Sequence, residues 1–302
     1  MIHYFADLRS DELEMLPPEL TVFLFSLGGF EQHGSHLPLG TKWIQAEQGV
    51  RLLAESLQSK MPQWNFVLMP TLPLTVDTIT SKISFPVRAH VVRDYLVDQG
   101  RGLKRLKFSM FAVYSSHLTP RQLSAIEEAA KMVSRRDGIF WGQKARMISI
   151  SSNEIASGEI MKSPMIANPK EHGGAKDTGL MLAFRQNKVS PDYVTLKDLP
   201  AQKENAARLI AYFRHEIGSY WGKPREANAE MARRSLQEKC EKTAVMLQAV
   251  FESGGQGGSL FNSGYRYFFF NGSFFKAYFF AAIFFVMMMF WTLWSLKDVF
   301  EP

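Results

Sequence analysis

The chain reads as an α/β protein: a mainly parallel sheet covered by helices on both faces, a three-layer sandwich, followed by one apolar C-terminal helix. Three observations predict this. Short apolar runs rich in β-formers, at residues 21–27, 65–69, 108–114 and 146–150, alternate with stretches of helical spacing. Loops rich in Gly, Ser and Pro follow the first and third runs, at the strand-to-helix turns where open α/β sheets place their chemistry. Lastly, residues 277–296 carry no formal charge, and twenty helical residues span about 30 Å, the hydrocarbon thickness of a bilayer.

In chain order, Ser10-Asp11-Glu12-Leu13 looks like a helix start and Pro17-Pro18 like its stop, so residues 1–20 read as a lead-in and a short helix. The strand Thr21 to Leu27 leads into a loop over 28–42 and a helix from about Ile44 to Leu57. A second strand, Asn65 to Met69, ends at Pro70, and a Pro- and Thr-rich connection over 71–86 precedes a helix from Ala89 to Leu106. Phe108 to Tyr114 is the third strand, with the loop Ser115 to Pro120 at its carboxyl end and a helix from about Gln122 to Ser134 after it. Arg146 to Ile150 is the fourth strand. Residues 151–175 read as loop, and a helix from about Lys176 to Arg185 carries Asp177 in its first turn, where the helix dipole favours an acid.

A long amphipathic helix follows, with Ala232, Leu236, Cys240, Ala244, Leu247 and Phe251 recurring at helical spacing. The glycine-rich run beginning at Gly254 breaks the pattern, which divides the chain into an α/β domain over 1–252, a linker over 253–270 and an anchor over 271–302. The anchor segment 277–296 is expected to cross a membrane, with Tyr278 near one end and Trp291 and Trp294 near the other. Arg266 and Lys276 precede it, which places the α/β domain on the cytoplasmic side.

Composition excludes several classes. At 46% apolar and 21% charged the chain has ample core and is neither disordered nor fibrous. Its net charge of +6 is spread along the chain rather than gathered in a block, which argues against a nucleic-acid partner. The single cysteine, Cys240, excludes an intrachain disulfide and a cysteine-based zinc site. There is no P-loop, dinucleotide fingerprint or nucleophile elbow.

The chemistry gathers in the first loop. Glu31 and His33 lie two residues apart on an extended backbone, so both side chains can face one cation, and His36 adds a further imidazole. The run Glu31-Gln32-His33-Gly34-Ser35-His36-Leu37-Pro38-Leu39-Gly40-Thr41 resembles the signature of the creatininase (creatinine amidohydrolase) family. That resemblance implies an α/β domain that hydrolyses cyclic amides or formamides at non-peptide carbon-nitrogen bonds, through a two-metal site of zinc, manganese or iron, commonly in a homo-oligomer. It implies Glu31, His33 and His117 as metal ligands, and His172 and Asp177 as the catalytic or substrate-binding pair.

Three positions depart from the family pattern. Lys42 stands where the family has an Asp that bridges its two metals, Thr119 where it has a Glu ligand, and Ala175 where it has the first Glu of its third block. An ammonium cannot ligate a cation while charged. Two readings follow: a hydrolase of impaired activity with a single metal on Glu31, His33 and His117, or a metal-free, membrane-tethered pseudoenzyme, serving as scaffold or small-ligand binder, in which Lys42 neutralises Glu31 and Asp177.

Overall fold

The computed structural model describes residues 1–78, 82–134, 145–150, 171–199, 220–253 and 273–300. Among the described residues, five parallel strands form one sheet: β1 (Ile2–Tyr4), β2 (Thr21–Leu27), β3 (Asn65–Leu68), β4 (Met110–Ser115) and β5 (Arg146–Ser149), in the order β1-β3-β2-β4-β5. The helices are α1 (Ser10–Glu14), α2 (Thr41–Lys60), α3 (Ala89–Arg105), α4 (Pro120–Ser134), α5 (Ala175–Arg185), α6 (Ala229–Glu252) and α7 (Ser273–Phe300).

Strand β2 is central and fully buried. Because successive side chains point to opposite faces, Phe23, Phe25 and Leu27 pack on one side with Val92 and Leu96 of α3 and Ile126 of α4. Val22 and Leu24 pack on the other with Val50 and Leu53 of α2, Leu180 of α5 and Leu236 of α6. The sheet is thus covered on both faces, as the unbroken apolar runs require of an all-parallel sheet.

The four expected strands and the helices between them are present, with two differences that matter. The lead-in contains a strand, β1, which pairs with β3 at the sheet edge; three residues carry too little periodicity to announce it. Helix α2 begins at Thr41, three residues before the expected Ile44, so Lys42 lies in its first turn at the carboxyl edge of the sheet. The early start follows from the Pro38 carbonyl, which accepts from both the backbone N–H (3.1 Å) and the hydroxyl (2.6 Å) of Thr41.

The expected loop over 151–170 and the linker beyond residue 253 fall outside the described residues. The expected anchor is helical in α7, and Phe279, Phe284, Phe290 and Trp294 on it are exposed. Among the described residues, no helix is long and apolar enough to cross a membrane; the described side chains of α7 are those of 279–292, 294 and 295. The expected transmembrane span is therefore not a feature of the described structure.

Candidate active site at the carboxyl edge of the sheet

The loop between β2 and α2 is folded back on itself, with the Glu31 N–H donating to the Leu39 carbonyl at 3.0 Å. This turns Glu31, His33 and His36 inward, each about 1% exposed or less. His33 Nδ1 lies 2.8 Å from the Glu31 carbonyl. A carbonyl only accepts, so Nδ1 carries the proton and Nε2 presents its lone pair, the orientation that a backbone partner imposes on a metal-ligating imidazole. His33 Nε2 has no hydrogen-bond partner and sits 3.9 Å from Glu31 Oε2.

His117, at the carboxyl end of β4, completes a second approach to Glu31. Its Nδ1 is 3.6 Å from Glu31 Oε2, and its Nε2 is a buried nitrogen without a partner. His172 stacks on His33, with ring centroids 4.0 Å apart and planes 20° apart, and on Trp221 behind it at 4.8 Å. Its Nε2 donates to the Gln32 carbonyl at 2.7 Å, which leaves Nδ1 as the acceptor nitrogen. Glu31, His33 and His172 place donor atoms within 4.8 Å of one another. Of the ligand set expected from sequence, then, Glu31 and His33 meet with both His117 and His172 close by.

Close approach of two loops makes this possible. Gly173 has φ +62°, and a Cβ there would lie 2.7 Å from the His33 carbonyl oxygen; only glycine lets the segment before α5 lie against the first loop. At Gly28 a Cβ would overlap the Lys42 carbonyl, so that glycine lets β2 exit beneath the first turn of α2.

Lys42 points at Asp177. The ammonium lies 2.6 Å from Oδ1, Gln45 donates to the same oxygen at 3.1 Å, and the Gly173 N–H donates to Oδ2 at 2.9 Å. Burial alone would push the Asp177 carboxyl up, but Lys42, together with His33 and His172, holds it well below the usual carboxylate range. Of the two acids expected to share Lys42, Asp177 takes the direct ion pair. Thr119 turns away to the Val76 carbonyl at 3.2 Å, and Ala175 opens α5.

The imidazoles are neutral for an electrostatic reason. Burial is the largest cause for His33 and holds it well below its ordinary value, with His172 and Lys42 adding to the effect. Burial, then Lys42 and His172, lower His117 to about 3. Neutral imidazole is the form that binds a metal. The residues present therefore fit a divalent cation: the Glu31 carboxylate and two neutral imidazoles that approach it through His33 Nε2 and His117 Nδ1.

Sequence reasoning passed over Gln45, which braces Asp177, and read Trp221 as core packing or a pocket wall, whereas it pairs with His172 through two backbone hydrogen bonds of 2.8 and 3.0 Å. No spacing links residues 172 and 221; only the bridge between them does.

A parallel sheet wrapped on both faces, with a buried carboxylate and imidazole cluster at its carboxyl edge, defines an α/β domain with a candidate metal site. The family model for creatininase, creatinine amidohydrolase, matches residues 6–247, and the chain belongs to the creatininase family. Among solved structures, a tryptophan-to-alanine mutant of creatininase is similar at 15% identity, covering 83% of this chain and 99% of that one with a TM-score of 0.61. A creatinine amidohydrolase (creatininase) is similar at 16% identity, 83% and 97% coverage and a TM-score of 0.59. A creatininase described as Mn is similar at 17%, 84%, 99% and 0.59. These likenesses establish the fold. No curated protein matches the chain in sequence.

Proposed function

We propose that the chain is a metal-dependent amidohydrolase of the creatininase family, acting on the carbon-nitrogen bond of a small cyclic amide or formamide with one divalent cation instead of two. The observation that carries this is the convergence of two buried imidazole nitrogens on one carboxylate oxygen: His33 Nε2, which has no hydrogen-bond partner, at 3.9 Å from Glu31 Oε2, and His117 Nδ1 at 3.6 Å from it. Glu31, His33 and His117 would hold the ion, with His172, stacked on His33 and presenting Nδ1 as its acceptor nitrogen, beside them. When bound, a zinc, manganese or iron ion supplies Lewis-acid polarisation of an amide carbonyl and a lowered pKa for water. Relatives described as Mn and as Zn-Zn type make the first two the metals to try.

The chain's own groups divide the remaining work. His172 Nδ1 is placed to take up and return a proton beside the cluster, with the Gln32 carbonyl fixing its tautomer. Asp177 has an ion pair and two hydrogen bonds on its carboxylate and so positions Lys42 rather than moving a proton. The Lys42 ammonium takes up charge where a bridging carboxylate would otherwise hold a second cation.

Elemental analysis of the protein, wild type beside Glu31→Ala, tests the reading. Near-stoichiometric zinc, manganese or iron that disappears in the variant supports it and justifies assaying cyclic amides. No metal in the wild type even after reconstitution would sink it in favour of the metal-free binder, the reading that the Lys42–Asp177 pair favours.

We also propose that α7 tethers the domain to a membrane. Its support is the apolar surface exposed along the helix at Phe279, Phe284, Phe285, Phe290 and Trp291 and the uncharged stretch 277–296. Removing residues 260–302 should release the protein from the membrane fraction; retention there would rule the tether out.

A further inference from the structure

An apolar patch lies on the outer side of the loop that carries Glu31 and His33. Phe30, Leu39, Ile83 and Phe85 are 39%, 37%, 45% and 57% exposed, although the backbone beneath them is held in place. The Phe85 N–H donates to the Phe30 carbonyl at 3.0 Å, the Gln32 N–H to Ser84 Oγ at 3.2 Å, and the Glu31 N–H to the Leu39 carbonyl at 3.0 Å. Residues 30–32, 39 and 83–85 therefore lie side by side. Val87 fixes the last of these segments, packing against the core while its N–H donates to the Thr75 carbonyl at 2.8 Å. Four large apolar side chains gathered in solvent on hydrogen-bonded backbone mark a contact surface, unlike apolar residues exposed singly. Lys82 and Arg88, both exposed, flank the 83–85 segment, and neither makes an ion pair among the described residues.

We propose that this face docks on an anionic lipid bilayer, with Phe30, Leu39, Ile83 and Phe85 entering the interfacial layer and Lys82 and Arg88 meeting the lipid headgroups. The charges choose the occupant. In a twofold contact the same patch meets itself, which would set Lys82 and Arg88 against the cations of a second copy. An anionic leaflet instead attracts both cations while the apolar side chains leave water. Aromatic and aliphatic side chains beside basic ones are also the composition of helices and loops that lie in a membrane interface. The proposal rests on the α7 tether only for proximity: a tethered domain meets the surface at high effective concentration, so a patch of four side chains suffices. Docking would hold the loop of the Glu31 cluster at the lipid surface, its outer side on the bilayer and Glu31 and His33 on its inner side.

The full chain with Leu39→Cys, labelled on that thiol with an environment-sensitive fluorophore, tests the assignment in vesicles of phosphatidylcholine alone or with an equal part of phosphatidylserine. Cys240 is buried and stays unlabelled. Ser59→Cys carries the control label, exposed near the other end of α2 and about 27 Å along the helix from Thr41. In vesicles with phosphatidylserine the label at position 39 should brighten and become quenchable by a lipid-borne nitroxide, and the label at position 59 should not. Lys82→Gln/Arg88→Gln should lower the ratio of docked to undocked domain by about thirtyfold without lowering the melting temperature. Raised salt should weaken docking in the same direction, which keeps the test independent of how that variant folds. A label at position 39 that stays dim in anionic vesicles overturns the docking face, whether or not the chain floats with them. Flotation that resists high salt while that label is dim leaves the α7 tether standing alone; a bright label on a chain that high salt releases keeps the docking face and sinks the tether. Brightening that needs no lipid and rises with protein concentration assigns the patch to a second copy and overturns the proposal.

Discussion

Lys42→Met is expected to destabilise the domain by about 3 kcal/mol at pH 7, the cost of leaving one member of a buried ion pair without the other. The lysine side chain is 15% exposed and that of Asp177 is 5% exposed, so water cannot replace the ammonium. Gln45 and the Gly173 N–H would remain on the carboxylate, which keeps the loss at the lower end of the range for such pairs. The double variant Lys42→Met/Asp177→Asn should regain most of the stability, because it removes the orphaned charge with its partner. The pH dependence has a definite sign. Asp177 is held well below its unfolded value of 3.8, so its contribution is complete above about pH 4 and is lost as pH falls from there toward its folded value. In Lys42→Met the buried acid protonates at higher pH, and the difference between variant and wild type should shrink in acid. Denaturant unfolding at pH 7 and pH 4 measures both effects; a Lys42→Met protein as stable as wild type at pH 7 would show that the pair is not a structural element.

The second large effect is an early acid sensitivity of the metal-free protein. His33 and His117 are neutral and buried, with His117 lowered from 6.5 to about 3. A group whose folded pKa is depressed contributes stability above its unfolded pKa and loses it as pH falls toward the folded one. Each imidazole should therefore cost about 1.4 kcal/mol per pH unit below 6.5, and the two together about 4 kcal/mol between pH 7 and pH 5. His117→Gln should roughly halve that slope. A stability flat between pH 7 and pH 5 would mean that the cluster admits water and charges freely. The same depression keeps the imidazoles available to a cation at pH 5 to 6, where ordinary histidines begin to protonate.

Lys42 thus supplies the positive charge that the buried Asp177 carboxylate needs. One positive group balances Asp177 without metal, while Glu31 and two unprotonated imidazoles keep a donor set that metal would complete. The two halves of the site are separable by mutation, Lys42 by stability and Glu31 by metal content.

Much of the fold was legible in the chain. The runs at 21–27, 65–69, 108–114 and 146–150 are apolar without interruption, and such runs form strands only where both faces are covered. Strand β1 was not legible, because Ile2–Tyr4 owes its conformation to pairing with β3 rather than to its own pattern. The start of α2 was misplaced by three residues because the Pro38 carbonyl captures Thr41.

By itself the sequence determined the layered α/β architecture and the family through the run from Glu31 to Thr41, since both are local patterns. Tertiary structure alone decided which carboxylate Lys42 would neutralise and that His172 would stack between His33 and Trp221. The reason is distance along the chain: these partners are brought together by α2, α5 and α6 packing on one face of the sheet and by the loops at its carboxyl edge, and no spacing rule spans the separation.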